Sequence, residues 1–383
     1  MSRASADAAE PIAPPSPTGE TRFVTSEIFR QPAFGRNHPL SIARQSGVLD
    51  LCEQLGWLEP DCQLTCEPAT RETLIRFHDP AYVHALKHAS DRGLASVEDR
   101  ERYAFGTMEN PLFGGLFERA ATTVDGAIRS AEIALAGGTA FHPAGGTHHG
   151  RRDRACGFCY FNDPVFAIMT LLEGGAGRVM YIDLDAHHGD GVEIAYAEDE
   201  RVLCVSVHES GRWPYTGAVE DRGEGMARNL PVPRGFNDSE LDFLRQRAIE
   251  PLLAHHAPDA LVLTCGADSL AGDPLSTMEI SNGAMWRTVT ALADQAPSVV
   301  LGGGGYNPWT AVRYWAGLWG QLAGMDWPAS LPAGARELLA GFDCDLVDEE
   351  DREPNWLSRL EDPPNEGAVR DEVRALADIV CKE

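Results

Sequence analysis

The sequence predicts an α/β fold, a single large domain whose largely parallel sheet is flanked by helices. Three observations carry this reading. Short apolar, partly β-branched runs alternate with helical periodicity across residues 139–301, the pattern of repeated strand–helix–strand units. Three of those runs end in polar or glycine-rich segments (179–184, 259–264 and 298–301), and functional groups of open parallel sheets gather at such carboxyl ends. Within residues 21–345 no stretch is rich enough in Pro, Gly or Ser to act as a linker.

The elements follow in order. Residues 1–20 are rich in Ala, Ser and Pro without an apolar segment, so a disordered tail is expected rather than a signal peptide. Residues 22–25 read as a first strand and 35–39 as a loop. Residues 40–55 have helical spacing through Ile42, Val48, Leu49 and Leu51. Asp79 precedes Pro80 and reads as a helix N-cap. Residues 93–108 carry no strong pattern and are expected as surface loop. Residues 110–136 form the longest helical stretch, rich in small residues for close packing on a sheet, and Gly137-Gly138 ends it. Residues 139–142 are a short strand leading into a glycine-rich loop with His148 and His149. Pro164 sits at the first position of a helix running to 172. The strand 179–184 follows, then a helix from 192, a strand at 201–208 and a loop holding Trp213. Residues 237–256 and 281–293 are helical, and strands at 259–264 and 298–301 lie between and after them. Residues 21–345 are expected to be the catalytic domain, and the acidic stretch 346–383 a peripheral extension.

Composition bounds the function. Hydrophobic content of 43% with 23% charged residues is globular, and no apolar run reaches the length of a membrane span. The formal charge of −26 argues against nucleic-acid binding, which needs a cationic face, and suits a cationic partner. Nine cysteines without an export signal suggest reduced thiols and a cytoplasmic location. Cys156 and Cys159 form a lone C-x-x-C, better explained by burial than by redox chemistry.

The densest chemistry lies just after residues 179–184. Asp183, Asp185, His187, His188 and Asp190 fall within eight residues, closed by Gly189 and Gly191. Residues two apart share a face of an extended chain, so Asp183, Asp185 and His187 converge where the strand ends. A D-x-D or H-H pair alone reads as a capped turn; five ionisable groups after an apolar strand need partners or a metal. Asp185, His187 and a third ligand such as Asp273 give an O/N/O set with an open position. That set suits catalytic Zn²⁺, with Fe²⁺ possible. His148 and His149 would supply acid and base, Asp183 and Asp190 would fix their tautomers, and Tyr306 would donate to an oxyanion. The sum is metal-assisted amide hydrolysis. The run of four glycines lacks the Lys-Ser/Thr ending of a phosphate loop, so nucleotide binding is not expected.

HPAGGTHHG, GFCYFND, YIDLDAHHGDGVE, GADSLAGDP and LGGGGYN together resemble the zinc-dependent histone deacetylase superfamily, over about residues 36–320. PAGGTHH, GTMENP and WPYTGAVEDRGEG look most like bacterial acetoin-utilization-type members, close to class I deacetylases. The resemblance implies a single arginase/deacetylase-like domain with an eight-stranded parallel sheet. It implies metal ligands Asp185, His187 and Asp273, with His149 as main acid/base and His148 as its electrostatic partner. Asp183 would pair with His148, Asp190 with His149, and Tyr306 would be the oxyanion donor. Gly157, Phe158, Trp213 and Leu275 would line an acyl-lysine tunnel, Glu109 would hold substrate at the rim, and Arg44 would sit in an internal channel. A structural potassium ion is implied at Asp183, Asp185, His187, Ser206 and Val207, and a second near Tyr196, Asp199 and Val202.

The leading expectation is removal of acetyl or another short acyl group from lysine side chains of a protein. Alternatives are an acetylpolyamine or other cationic small-amide deacylase on the same scaffold, a dinuclear manganese ureohydrolase of related fold, and a non-enzymatic acyl-lysine reader. No nucleic-acid or membrane partner is expected, and the oligomeric state is left open.

Overall fold

A computed structural model describes residues 19–35 and 38–381. The expected tail therefore lies, up to residue 18, outside the described residues. Eight strands are β1 (Thr21–Thr25), β2 (Gln63–Thr65), β3 (Thr139–His142), β4 (Val179–Asp183), β5 (Val202–Glu209), β6 (Ala227–Val232), β7 (Ala260–Thr264) and β8 (Ser298–Leu301). They form one sheet in the order β2-β1-β3-β8-β7-β4-β5-β6. Every neighbouring pair is parallel. β3, β8, β7 and β4 are therefore consecutive across its middle, so the four segments singled out in the sequence leave the sheet side by side.

The alternation of a strand explains the two layers. On one face Val179, Tyr181, Val262, Val299 and Leu301 pack with Ala127, Ala131, Val165, Ile168 and Leu171, from the helices Leu116–Leu135 and Asp163–Glu173. On the other, Met180, Ile182, Leu261, Leu263 and Val300 join a larger cluster with Val48, Met285, Trp286, Trp315 and Trp319, from the helices Arg44–Gln54, Asn282–Ala293 and Pro308–Leu322. Both faces being covered is why these strands read as continuous apolar runs.

Several boundaries differ from the sequence reading. The first helix begins at Arg44, because Pro39–Ser41 form a separate short turn. The long helix begins at Leu116, after Gly115 with its left-handed φ of 73°. The expected loop 93–108 contains a helix at Val97–Tyr103, capped by Ser96 Oγ accepting from Asp99 N. β2 and β6 went unnoticed; β6 carries Pro231, which fits an edge strand. The helix at 237–256 is one rod with a widened turn at Arg245–Ile249. Pro251, two residues beyond that turn, lacks the N–H for a normal bond.

The acidic C-terminal stretch is not peripheral. The helix Asp371–Val380 packs against β6, and Val373, Leu376, Ala377 and Val380 join the larger core together with Trp356 and Leu360. Charge count hid this: those four residues follow i, i+3, i+4, i+7 spacing and form one apolar stripe. Arg313, fully buried on the helix Pro308–Leu322, donates to Asp362 at 2.6 Å and to the Leu360 carbonyl at 3.1 Å. No helix among the described residues is long and apolar enough to cross a membrane.

Removing Asp362 would leave a buried guanidinium without its counter-charge. Asp362→Ala is expected to cost about 3–5 kcal/mol, measured by urea unfolding, whereas Glu349→Ala at an exposed pair should change stability by less than about 0.5 kcal/mol.

Candidate active site

The loop after β3 carries His148 and His149, and two residues at the start of the next helix hold it. Asp163 accepts from Gly146 N at 3.0 Å and Thr147 N at 2.7 Å. Asn162 Nδ2 donates to the carbonyls of His148 at 3.1 Å and Gly150 at 2.9 Å. In the sequence this Asn-Asp-Pro run reads only as a helix start. It is also the clamp that sets both histidines.

Each histidine meets one aspartate, Asp183 at the end of β4 or Asp190 at the start of the helix that follows. His148 Nδ1 lies 2.6 Å from Asp183 Oδ2 and His149 Nδ1 lies 2.9 Å from Asp190 Oδ1, with the two rings 3.9 Å apart. The surroundings drive the rings apart in proton affinity. Burial lowers His148, but Asp183 and Asp185 outweigh it and push it up to about 9. Burial and then the charge of His148 bring His149 down to about 3, outweighing the opposing pull of Asp190. Tyr181 Oη donates to Asp183 at 2.6 Å. His188 is turned away, with Nδ1 at Thr216 and Nε2 at Glu193.

Asp185 and His187 lie just beyond β4, Asp268 and Asp273 beyond β7, and the structure groups Asp268 rather than Asp273 with the first two. His187 Nδ1 lies 2.9 Å from Asp268 Oδ2 and 3.2 Å from Asp185 Oδ1. Ligand atoms of Asp185, His187 and Asp268 all fall within 4.8 Å of one another, so a divalent ion has a possible site here. Asp273 accepts from Leu275 N at 2.9 Å and Tyr306 N at 2.7 Å. Burial and then Asp268 push its carboxyl up to about 7. Of the buried aspartates Asp183, Asp185, Asp190, Asp268 and Asp273, only Asp190 is ion-paired with an arginine among the described residues. Such a surplus of buried negative charge fits a divalent cation. Asp268 falls in the GADSLAGDP segment, where the sequence alone assigns it no role. The need of His187 for an acceptor on its second nitrogen was the available signal.

The loop after β8 closes the site. Gly304 N donates to Asp185 Oδ2 at 2.6 Å, and a Cβ on Gly304 would sit 2.0 Å from Asp268 Oδ2. Arg44, half-buried, holds this loop by donating to the Gly303 carbonyl at 2.8 Å and to that of Gly305 at 3.2 Å. Burial raises the Tyr306 hydroxyl well above its ordinary value, which keeps its proton on.

A mouth lined by Glu109, Gly157, Phe158, Trp213 and Leu275 leads down to His149, His187 and Tyr306. The Trp213 ring lies 4.7 Å from His149, and the Phe158 ring 6.0 Å from Tyr306. Phe158 and Gly157 occupy the tip of a tight turn closed by mutual hydrogen bonds between Cys156 and Cys159. Glu109 Oε1 accepts from Gly157 N at 2.6 Å and Asn110 Oδ1 from Phe158 N at 2.9 Å. Glu109 thus braces the tunnel wall. Burial raises both thiols, which disfavours thiolate chemistry. Behind the site a second cavity is bounded by Arg44, Gly304, Tyr306, Phe158 and Arg119. Ser206 stands opposite Asp183 in the β4–β5 register, with Val207 next to it. Tyr196, Asp199 and Val202 lie further back, at the end of one helix and the start of β5.

A family model described as the histone deacetylase domain matches residues 38–322. The chain belongs to the histone deacetylase family. It is 32% identical over 320 residues to the acetoin utilization protein AcuC of Bacillus subtilis, covering 79% of this chain and 82% of that one. It is 33% identical over 298 residues to histone deacetylase 8 of Xenopus tropicalis, covering 76% and 80%. A crystal structure of an HDAC homologue from Aquifex aeolicus superposes with a TM-score of 0.90 at 33% identity, over 94% of this chain and 100% of that one. The family supports a deacetylase activity.

The close approach at Gly304 yields a direct test. Gly304→Ala is expected to destabilise the protein by about 1–3 kcal/mol through overpacking and to abolish tight binding of a divalent ion by isothermal titration. Gly114→Ala, in open space, should leave both unchanged.

Proposed function

We propose that this chain is a divalent-metal amidohydrolase that removes acetyl or another short acyl group from a lysine side chain. The observation that carries this is the convergence of two His–Asp pairs, Tyr306 and a carboxylate-rich metal cradle at the foot of an aromatic-walled mouth. Asp185, His187 and Asp273 would hold the ion, with zinc the first choice and ferrous iron the second. When bound, it would polarise the amide carbonyl and acidify a water.

The residues divide the remaining work. Phe158 and Trp213 grip the alkyl chain and exclude water. His149 takes the proton of the attacking water at Nε2, since its Nδ1 faces Asp190, and returns a proton to the departing lysine amine. His148, charged beside Asp183, favours the developing negative charge. Tyr306 donates its hydroxyl to the oxyanion. Arg44 lies on the cavity side, where a small acid product can collect. A potassium ion at Asp183, Asp185, His187, Ser206 and Val207 would stiffen the end of β4, and the Asp183–Ser206 register supports that placement.

Asp273 is preferred to Asp268 as ligand because Asp268 sits on the Nδ1 edge of His187, whereas the Asp273 oxygens meet backbone N–H groups alone among the hydrogen bonds of the described residues. Asp268 is spent on His187 Nδ1 and on Ala186 N at 3.0 Å, which fixes the His187 tautomer and leaves Nε2 to bind. Asp273→Asn is therefore expected to abolish stoichiometric zinc, read by atomic absorption. Asp268→Asn should retain zinc with affinity about 10–100-fold weaker. The reverse pattern would make Asp268 the ligand.

Activity is tested with zinc-loaded protein on acetyl-, propionyl-, butyryl- and lactyl-lysine peptides and on acetylputrescine. Turnover of a lysine peptide is expected, with kcat lowered about 10²–10³-fold by Tyr306→Phe. Turnover of acetylputrescine alone would move the substrate class to polyamines. Peptide binding without turnover would favour the reader.

A further inference from the structure

The family model ends at residue 322, yet the chain that follows returns to the site. Trp356, 6% exposed, sits on a short turn at Pro354–Leu357. Its indole lies against Gly272, the residue before Asp273. A Cβ on Gly272 would stand 2.7 Å from Trp356 Cζ2 and 2.8 Å from Cη2. Gly272 has a left-handed φ of 87°, so this segment carries little conformational preference of its own. Its alignment must come from what surrounds it.

Two hydrogen bonds tie the Gly272–Asp273 segment to the loop after β8. Tyr306 N donates to Asp273 Oδ2 at 2.7 Å and Asn307 Nδ2 donates to the Gly272 carbonyl at 2.9 Å. Asn307 Oδ1 also caps the following helix through Trp309 N and Thr310 N. Trp356 covers this junction and is itself held. Its ring is stacked on Trp309 at 6.4 Å and 17°, Trp309 Nε1 donates to the Leu339 carbonyl at 2.8 Å, and the Arg352 guanidinium lies 5.6 Å from the Trp309 ring. From the same C-terminal segment, Cys344 Sγ donates to the Tyr306 carbonyl at 3.5 Å.

We propose that Trp356 is a positioning residue that presses Gly272 against Asn307 and thereby sets Asp273 and Tyr306 relative to each other. This rests on the reading of Asp273 as a metal ligand and Tyr306 as the oxyanion donor. A residue that only fills core would affect unfolding and leave site geometry alone. A positioning residue changes metal affinity and kcat in the folded protein, because small displacements of site groups cost rate steeply.

The test compares full-length wild type, Trp356→Ala, Trp356→Phe and Val373→Ala, the last loosening the distal C-terminal helix. Zinc affinity is read by competition with a chromophoric chelator, kcat and KM on an acetyl-lysine peptide at saturating zinc, and Tm by scanning calorimetry. Trp356→Ala is expected to weaken zinc and lower kcat at least tenfold each with KM within twofold, and Trp356→Phe to restore most of both. Val373→Ala should lower Tm with zinc affinity and kcat within twofold. The proposal is overturned if Trp356→Ala keeps both within twofold, or if Val373→Ala, at equal loss of Tm, matches its effects. Should the alanine variant not fold, Trp356→Leu takes its place under the same criteria. If the wild type hydrolyses no acyl-lysine peptide, the substrate reading fails while the zinc comparison still decides the role of Trp356. Absence of zinc binding by the wild type overturns both.

Discussion

Everything near the mouth follows from the expense of keeping five aspartates, Asp183, Asp185, Asp190, Asp268 and Asp273, buried together. An unpaired charge in such surroundings is strongly disfavoured. Backbone N–H groups of His187, Leu275, Gly304 and Tyr306 point at these carboxylates, and His148, His149 and His187 each spend Nδ1 on one. The glycines of the loop after β8 exist to let the backbone come that near. What the protein groups leave uncompensated coincides with a possible site for a divalent ion. Loop conformation and the histidine hydrogen bonds are thus consequences of one electrostatic demand.

The sheet order makes the demand affordable in geometry. Because β3, β8, β7 and β4 are adjacent, groups separated by more than 150 residues need only a few residues beyond each strand to meet. Asp183 sits at the end of β4 with Ser206 and Thr264 opposite it in the flanking strands. The strands supply rigidity, and the short loops supply direction.

Much of this was legible in the sequence, for a physical reason. Buried strands of a parallel sheet are short apolar runs, and the run from Val179 to Asp183 breaks into charge where the sheet ends. The fold class and the His–Asp pairing followed from such breaks together with the family resemblance. What escaped reading was side chain to backbone support. Asn162 and Asp163 look like an ordinary helix start, Tyr181 like one more strand residue, and Asp268 like a turn. Their roles depend on partners distant in sequence, which no local pattern reveals. The C-terminal helix escaped for a different reason, since its four apolar residues are diluted by acidic neighbours that face solvent.

That helix has a consequence for how the chain is made. It packs on β6, a strand at the sheet edge with open backbone groups that invite pairing with other chains. β6 ends at Val232 and its cover begins at Asp371. At about 5–20 residues per second, the ribosome needs on the order of ten seconds to deliver the cover. During that interval β6 lacks this helix, and Pro231 is a position on the strand with no N–H to offer another chain. Crowded polysomes are where this fold is most exposed to intermolecular mispairing.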